Sequence, residues 1–317
     1  MKRLHPFVLL AVCFGAALSA MAQPAADYPS KAINLYTPFP GFNDAMARVI
    51  GEKLSNEVGQ PIVVHHLPGA SGAVAAARVK SVGADGYSLL FGSNGMFTIN
   101  DVFNPSVEYK SSDFIPISLG YSLGMFVLVH PSVPANNLRE LIDYAKANPG
   151  KLTYGSSGVG TITHMCGEML ASMSSTKMTH IPYKGTAQAL TDLIGGRISM
   201  LFFPSQESLQ HIKSGRVKAL AFSTTERSKA MPEVATIAES GIPGYDMKVW
   251  YGFFAHSSIP PAALARLSTA IPRAILASDL TSRELVPSGN TSAQFQALIL
   301  QEKNVLRKII QSEGIKP

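Results

Sequence analysis

The chain has 317 residues, with 27 Lys and Arg against 21 Asp and Glu, and two cysteines. A formal charge of +6 without a Lys/Arg block speaks against nucleic-acid binding and leaves room for a small anionic ligand. With only Cys166 outside the first 22 residues, a processed chain has no intramolecular disulfide, and one thiol with scattered histidines makes a poor zinc site.

The first segment places Lys2 and Arg3 ahead of an apolar run from Phe7 to Leu18, then Ala20-Met21-Ala22 before Gln23. This basic, apolar and small-residue order predicts a secretory signal over residues 1–22, cleaved after Ala22. The run is shorter than the ~20 apolar residues of a spanning helix. Val12 stands before Cys13 where a lipobox needs a small residue, which argues against lipidation. Cleavage removes Lys2 and Arg3, leaving 25 basic against 21 acidic side chains. A soluble exported protein of about 295 residues is expected, long enough for one large domain or two ordinary ones.

From Ile33 the pattern alternates. "INLYT" (33–37) reads as a strand, "NDAMARVIGEKLSNEVG" (43–59) as a helix, "PIVVHH" (61–66) as a strand, "SGAVAAARVKSVG" (71–83) as a helix and "YSLLFG" (87–92) as a strand. In the first helix Met46, Val49, Ile50 and Leu54 share one face, Asn43 or Asp44 can cap the start, and Gly59 follows the end. The short apolar strands predict parallel sheets covered on both faces. After "SLGMFVLVHPSVPA" a second series follows: helix 137–147, strand 152–155, helix 161–173, strand 178–181, helix 186–194, strand 198–203 and strand 217–221. The tail returns through "KVWYGFFAH" to helices near 261–276 and 292–312. Two α/β blocks and a leftover tail predict an α/β clamshell: lobe 1 from 23–124 and 249–317, lobe 2 from 125–248, with two hinge crossings and a cleft between.

"TYGSSGVGTITH" (153–164) runs from a strand through small residues into a helix. A nucleophile elbow needs glycines two positions either side of the serine; Ser157 has Gly155 before it but Val159 after it. "GVGTIT" lacks the third glycine of a dinucleotide fingerprint, and "YKGT" (183–186) inverts the lysine and glycine of a Walker loop. What remains is a helix N-terminus with hydroxyls around it, a place for an anion, or else an ordinary capped turn. Similar glycine-containing turns follow other strands: "TPFPGFNDA" (37–45), "LPGASGA" (67–73) with Ser71, "GSNGM" (92–96) with Asn94, and "PYKGTAQ" (182–188). Open α/β sheets bind ligands beyond strand C-termini, so these turns describe one cleft. No cofactor motif and no metal constellation is evident, and neither is expected.

Seven segments, among them "LPGASGA", "ADGYSLLFGS", "ANPGKLTYGSSGVGTITHMCGEML", "HIPYKGTAQALTDLIGGRI" and "GIPGYDMKVWYGFFA", closely resemble the Bug receptors. These are the extracytoplasmic solute-binding proteins of tripartite tricarboxylate transporters. The resemblance runs from about Tyr28 to Lys316. It implies a periplasmic-binding-protein fold whose lobes close, without catalysis, on a small carboxylate for delivery to membrane permease subunits. Carried onto this chain, it places the ligand between Phe39, Pro40, Gly41, Phe42, Asn43 and Asp44 of the first loop and a second-lobe set. That set is Ser156, Ser157, Gly158, Gly160, Thr161, Tyr183, Lys184, Gly185 and Thr186. A sensor feeding a signalling receptor, or an exported enzyme acting on a small acid, are the alternatives, and a monomer is expected.

Two departures bear on the ligand. The first loop is one residue shorter than the family's pattern and carries Phe42 and Asn43, and Phe202-Phe203-Pro204 stands where relatives often have Phe-Asp-Asn. With Phe203 facing the ligand, the pocket would prefer a carboxylate with an apolar or aromatic body and disfavour an amino acid, whose buried ammonium would lack a partner. The other reading packs Phe203 into the core. Cys166 is expected to be a small buried residue, Trp250 to line the cleft or staple the hinge, and Lys184 to lend charge to the cleft. His65 and His66 alternate across a strand and make a poor metal pair.

Overall fold

The structure, a computed structural model, describes residues 28–103 and 107–313; the expected signal segment lies outside the described residues. In chain order the elements are β1 (Ile33–Thr37), α1 (Phe42–Val58), β2 (Ile62–His66), α2 (Ala73–Val82), β3 (Ser88–Ser93), α3 (Asn100–Phe103) and β4 (Phe114–Leu123). Then come β5 (Met125–Val129), α4 (Leu138–Ala147), β6 (Thr153–Ser156), α5 (Ile162–Ser174), β7 (Thr179–Pro182), α6 (Thr186–Ile194), β8 (Met200–Pro204), α7 (Ser205–Lys213) and β9 (Lys218–Phe222). The chain ends with β10 (Val249–His256), α8 (Pro261–Leu276), β11 (Val286–Pro287) and α9 (Ser292–Glu313).

Two sheets form, each the centre of a lobe: six strands in the order β11-β4-β10-β3-β1-β2, and five in the order β7-β6-β8-β5-β9. Both are mixed rather than parallel. β1 runs parallel to β2 and β3, but β10 returns from the second lobe and inserts antiparallel between β3 and β4. Only Gly124 separates β4 from β5, so the chain passes directly from one sheet into the other, and β5 enters antiparallel to β8 and β9. β4 has no counterpart among the predicted elements, because Pro116, Ser118, Gly120 and Ser122 interrupt its apolar pattern.

The helices follow from their faces. α1 buries Met46, Ala47, Ile50, Gly51, Leu54 and Val58 and stops at Gly59, whose φ of 74° only glycine adopts without strain. α8 lies against α1 and buries Leu267, Ala270, Ile271, Ala274 and Ile275. Beyond the main core, an aromatic cluster covers the other face of the first sheet, with Phe97, Phe114, Trp250, Phe254 and Phe295, and a smaller cluster covers the second sheet. The two crossings are tied by the buried Ser223. Its Oγ accepts from the Met125 amide at 2.9 Å and donates to the Met247 carbonyl at 2.6 Å.

Candidate functional site

Between the lobes lies a cavity of about 710 Å³. Lobe 1 supplies Phe39 after β1, Gly69, Ala70 and Gly72 before α2, Asn94 to Met96 after β3, and Phe103. Lobe 2 supplies Ser157 and Val159 to Ile162, and Val249 and Tyr251 come from the return strand. Each lobe 1 turn follows the C-terminal end of a parallel strand and opens a helical turn: a 3-10 turn (Ala70–Gly72) into α2, and a π-helical turn (Gly95–Ile99) into α3. Three helix starts therefore meet one space, and their N-terminal amides and dipoles favour negative charge there.

The loop 156–161 is held from within. The Ser157 amide donates to Thr163 Oγ1 at 3.0 Å, the Gly158 amide to Ser156 Oγ at 3.1 Å, and the Gly160 amide to His164 Nδ1 at 3.1 Å. The amides that sequence reasoning offered to an anion are thus engaged in shaping the loop. The groups left for a ligand are those of the first turn of α5, Ile162 to His164, which helix geometry leaves without intrahelical acceptors, together with the Ser157 hydroxyl; the Thr161 hydroxyl donates to the Gly158 carbonyl at 2.7 Å.

Of the residues singled out in the sequence, Phe39, Asn94, Ser157, Gly160 and Thr161 line the cavity. The others stand elsewhere. Pro40 and Gly41 are exposed; Phe42 packs on the main core; Asn43 accepts from Tyr121 Oη at 2.9 Å; Asp44 pairs with Arg48 at 2.8 Å. The shorter first loop starts α1 at Phe42, and this turns 42–44 away from the cleft. Ser71 sits in the 3-10 turn whose neighbours line the cavity. Ser156 is fully buried beneath the loop, and Gly158 supplies its bend. Tyr183 donates to Asp192 Oδ2 at 2.8 Å, Gly185 and Thr186 start α6, and Lys184 is exposed and outside the cavity wall.

Phe203 corrects an expectation. It is 3% exposed and packs with Phe126, Leu128 and Leu201, because β8 is buried on both faces and α6 and α7 cover it. The aromatic wall of the cleft is made instead by Phe39, Phe103 and Tyr251, with Met96 beside them. Tyr251 was within reach of sequence reasoning, since strand alternation puts it opposite Trp250, which is buried and donates to Glu302 at 2.8 Å. Phe103 had no such signal, because the π-helical turn before it follows neither strand nor α-helix spacing.

Comparison with known proteins agrees with this geometry. The family model described as "Tripartite tricarboxylate transporter family receptor" matches residues 46–315. The chain belongs to this receptor family. A UPF0065 protein from the tcbD-tcbE intergenic region of Pseudomonas sp. (strain P51) is 35% identical, over 83% of this chain and 79% of its own length. Among solved structures, Rpa4515 of R. palustris with adipate is 31% identical with a TM-score of 0.80, covering 92% of this chain and all of that one. MatC of Rhodopseudomonas palustris with bound malate is 25% identical with a TM-score of 0.74, covering 89% and 100%.

Beneath its binding loop this receptor carries a polar cluster. Ser156 Oγ and His180 Nε2 share a hydrogen bond of 2.6 Å, the His180 and His164 rings stack at 3.9 Å, and Tyr154 Oη donates to Glu168 Oε1. Because Gly160 donates to His164 Nδ1, the neutral His164 carries its proton on Nε2, toward Glu168 at 3.5 Å. Burial, then the neighbouring His164, pushes His180 down to about 4, against the pull of Glu168. Burial works against the Glu168 carboxylate, but hydrogen bonds from His164 and Tyr154 outweigh it and hold its pKa below the ordinary value.

Both shifts act in one direction. As pH falls from His180's ordinary 6.5 toward about 4, the unfolded chain binds the proton first, so stability is full above that window and lost through it. Glu168 adds its loss below its ordinary 4.5. The melting temperature of the wild type is therefore expected to lose ground to that of His180→Gln as pH falls from about 6.5 toward 4, a difference that isolates this cluster from other groups titrating in the same window. An unchanged slope in the variant would exclude His180 as a source of the pH dependence.

Proposed function

We propose that this receptor captures, in the periplasm, a small carboxylate with an apolar or aromatic body and presents it to the membrane subunits of a tripartite transporter. The observation that carries this reading is the cleft wall. Among the described residues lining it, aromatic and aliphatic side chains meet hydroxyls and helix-start amides, and no charged side chain is present. A carboxylate can take its hydrogen bonds from the first turn of α5 and from the Ser157 hydroxyl, with the helix dipole behind them. An ammonium would enter the same space without an acidic partner, at a cost of several kcal/mol or a proton. The preference for an apolar body rests on Phe39, Met96, Phe103 and Tyr251 rather than on Phe203. Ligand contacts to both lobes favour the closed form, and that closure is what the membrane partner would read.

A thermal-shift panel tests this reading with adipate, malate and benzoate against aspartate and glutamate. An acid present at about 100 times its Kd adds about 2.7 kcal/mol. For a chain of this size that raises the melting temperature by about 4–5 °C. At least one of the three acids is expected to do so and neither amino acid; stabilisation by the amino acids alone would overturn the assignment.

A further inference from the structure

Beside the cleft lies a second space between the lobes, a cavity of about 150 Å³, and Asn94 and Ile162 line both. Lobe 1 contributes Thr98 and Glu302 to its wall, α5 of lobe 2 contributes Ile162 and Met169, and the second crossing contributes Asp246 and Lys248. The cavity is rich in acceptors and poor in donors. Asn94 donates its amide to the Lys248 carbonyl at 2.8 Å, which fixes the orientation of the amide, and its Oδ1 is buried without a partner among the described residues. Asp246 Oδ1 is buried in the same condition, while Oδ2 meets Lys248 Nζ at 3.3 Å. Glu302 accepts the Trp250 Nε1–H, at 2.8 and 2.9 Å from its two oxygens. Two carboxylates and one lysine thus border a small space whose wall on α5, Ile162 and Met169, is apolar.

We propose that Glu302 is a proton-binding site that sets the angle between the lobes. Ionised, it holds water in the side cavity and keeps α5 away from α9; protonated, it lets the cavity dry and the lobes close. Burial of an ionised carboxylate against Ile162 and Met169 is costly, whereas the neutral acid can donate to an orphaned acceptor. The groups facing Glu302 are Trp250, Lys248, Asp246 and Thr98. Burial pushes its pKa up to about 7, Asp246 adds to the rise, and the Trp250 and Thr98 hydrogen bonds and the Lys248 charge oppose it. Lys303, next along α9, is committed to Asp101 at 2.7 Å and Ser111 at 2.6 Å. The link to the cleft runs through Asn94, which borders both cavities and holds the crossing backbone at Lys248.

Trp250 is the sole tryptophan of the chain and bonds Glu302 directly, so its emission reports the site without a label. The full-length processed protein, free of added solute, is titrated from about one unit below the Glu302 midpoint to about one unit above it, with emission and the radius of gyration from X-ray scattering followed together. The expected result is an emission transition centred near pH 7, with a larger radius of gyration on its alkaline side. Glu302→Gln should flatten both curves, and Asp246→Asn should move the emission midpoint to lower pH. A flat wild-type profile, a transition that survives in Glu302→Gln, or a radius of gyration that ignores the transition would overturn the proposal. None of these readouts depends on which solute binds.

Discussion

Replacing Gly160 with valine is expected to abolish solute capture while leaving the receptor folded. Gly160 has a φ of +71°, where a side chain costs about 1–3 kcal/mol. A Cβ placed there would lie 2.4 Å from Phe103 Cδ1 and 2.5 Å from Cε1. Phe103 belongs to the opposite lobe, so the added atom is a wedge between the two jaws rather than a defect inside one of them. The displaced loop would also lose the Gly160 amide bond to His164. A closed form penalised by about 3 kcal/mol binds more than 100-fold more weakly, since about 1.4 kcal/mol is a factor of ten. Calorimetric titration with whichever acid of the panel stabilises the wild type gives the measurement. Gly160→Ala should lose less, and Phe103→Leu combined with it should recover part of the loss, because the pair couples directly. Affinity within threefold of wild type for Gly160→Val would remove this loop from the closing contact.

The hydrogen bonds around this loop separate what the sequence could reveal from what it could not. Helix starts and strand ends were legible because they depend on nearest neighbours: Gly59 ends α1 and Thr186 starts α6 within the predicted spans. Two lobes were legible because a tail with a strand and two long helices needs a sheet to join, and β10 finds one between β3 and β4. The direction of β5 and β10 was not, since it depends on how the chain re-enters a sheet already built. Alternation says that Phe202 and Phe203 face opposite ways, but not that both sides of β8 are covered. Likewise "GSSGVG" announces a ligand loop, while the partners that consume its amides, Thr163 and His164, sit on the following helix. The cleft wall was half visible for the same reason: Phe39 and Thr161 lie in the turns themselves, and Phe103 and Tyr251 arrive through the fold.

A second large effect is expected from Gly252→Ala, this time on stability. Gly252 lies in β10 directly opposite Gly92 of β3, and both open onto the face that carries Trp250 and Phe254. With no Cβ on either strand, the aromatic rings can lie close to the sheet: Phe97 stacks on Phe254 at 3.7 Å, and Phe295 at the start of α9 covers Gly252. A Cβ on Gly252 would stand 2.5 Å from Phe295 Cζ and 2.9 Å from the Ser118 carbonyl oxygen. The ring could turn, but the carbonyl belongs to β4, so relief requires bending the pairing of β4 with β10. Overpacking of this kind costs about 1–3 kcal/mol, and a backbone atom in the clash puts the change at the upper end. A fall in melting temperature of about 5 °C is therefore expected by differential scanning calorimetry. Phe295→Leu, which shortens the ring that covers Gly252, should make the alanine cheaper in the double variant than in the wild type, and a melting temperature within about 1 °C of wild type for Gly252→Ala would refute the packing argument. Because Phe295 and Glu302 share α9, the same substitution should also disturb the Trp250 emission, which joins the packing of the sheet to the hinge chemistry above it.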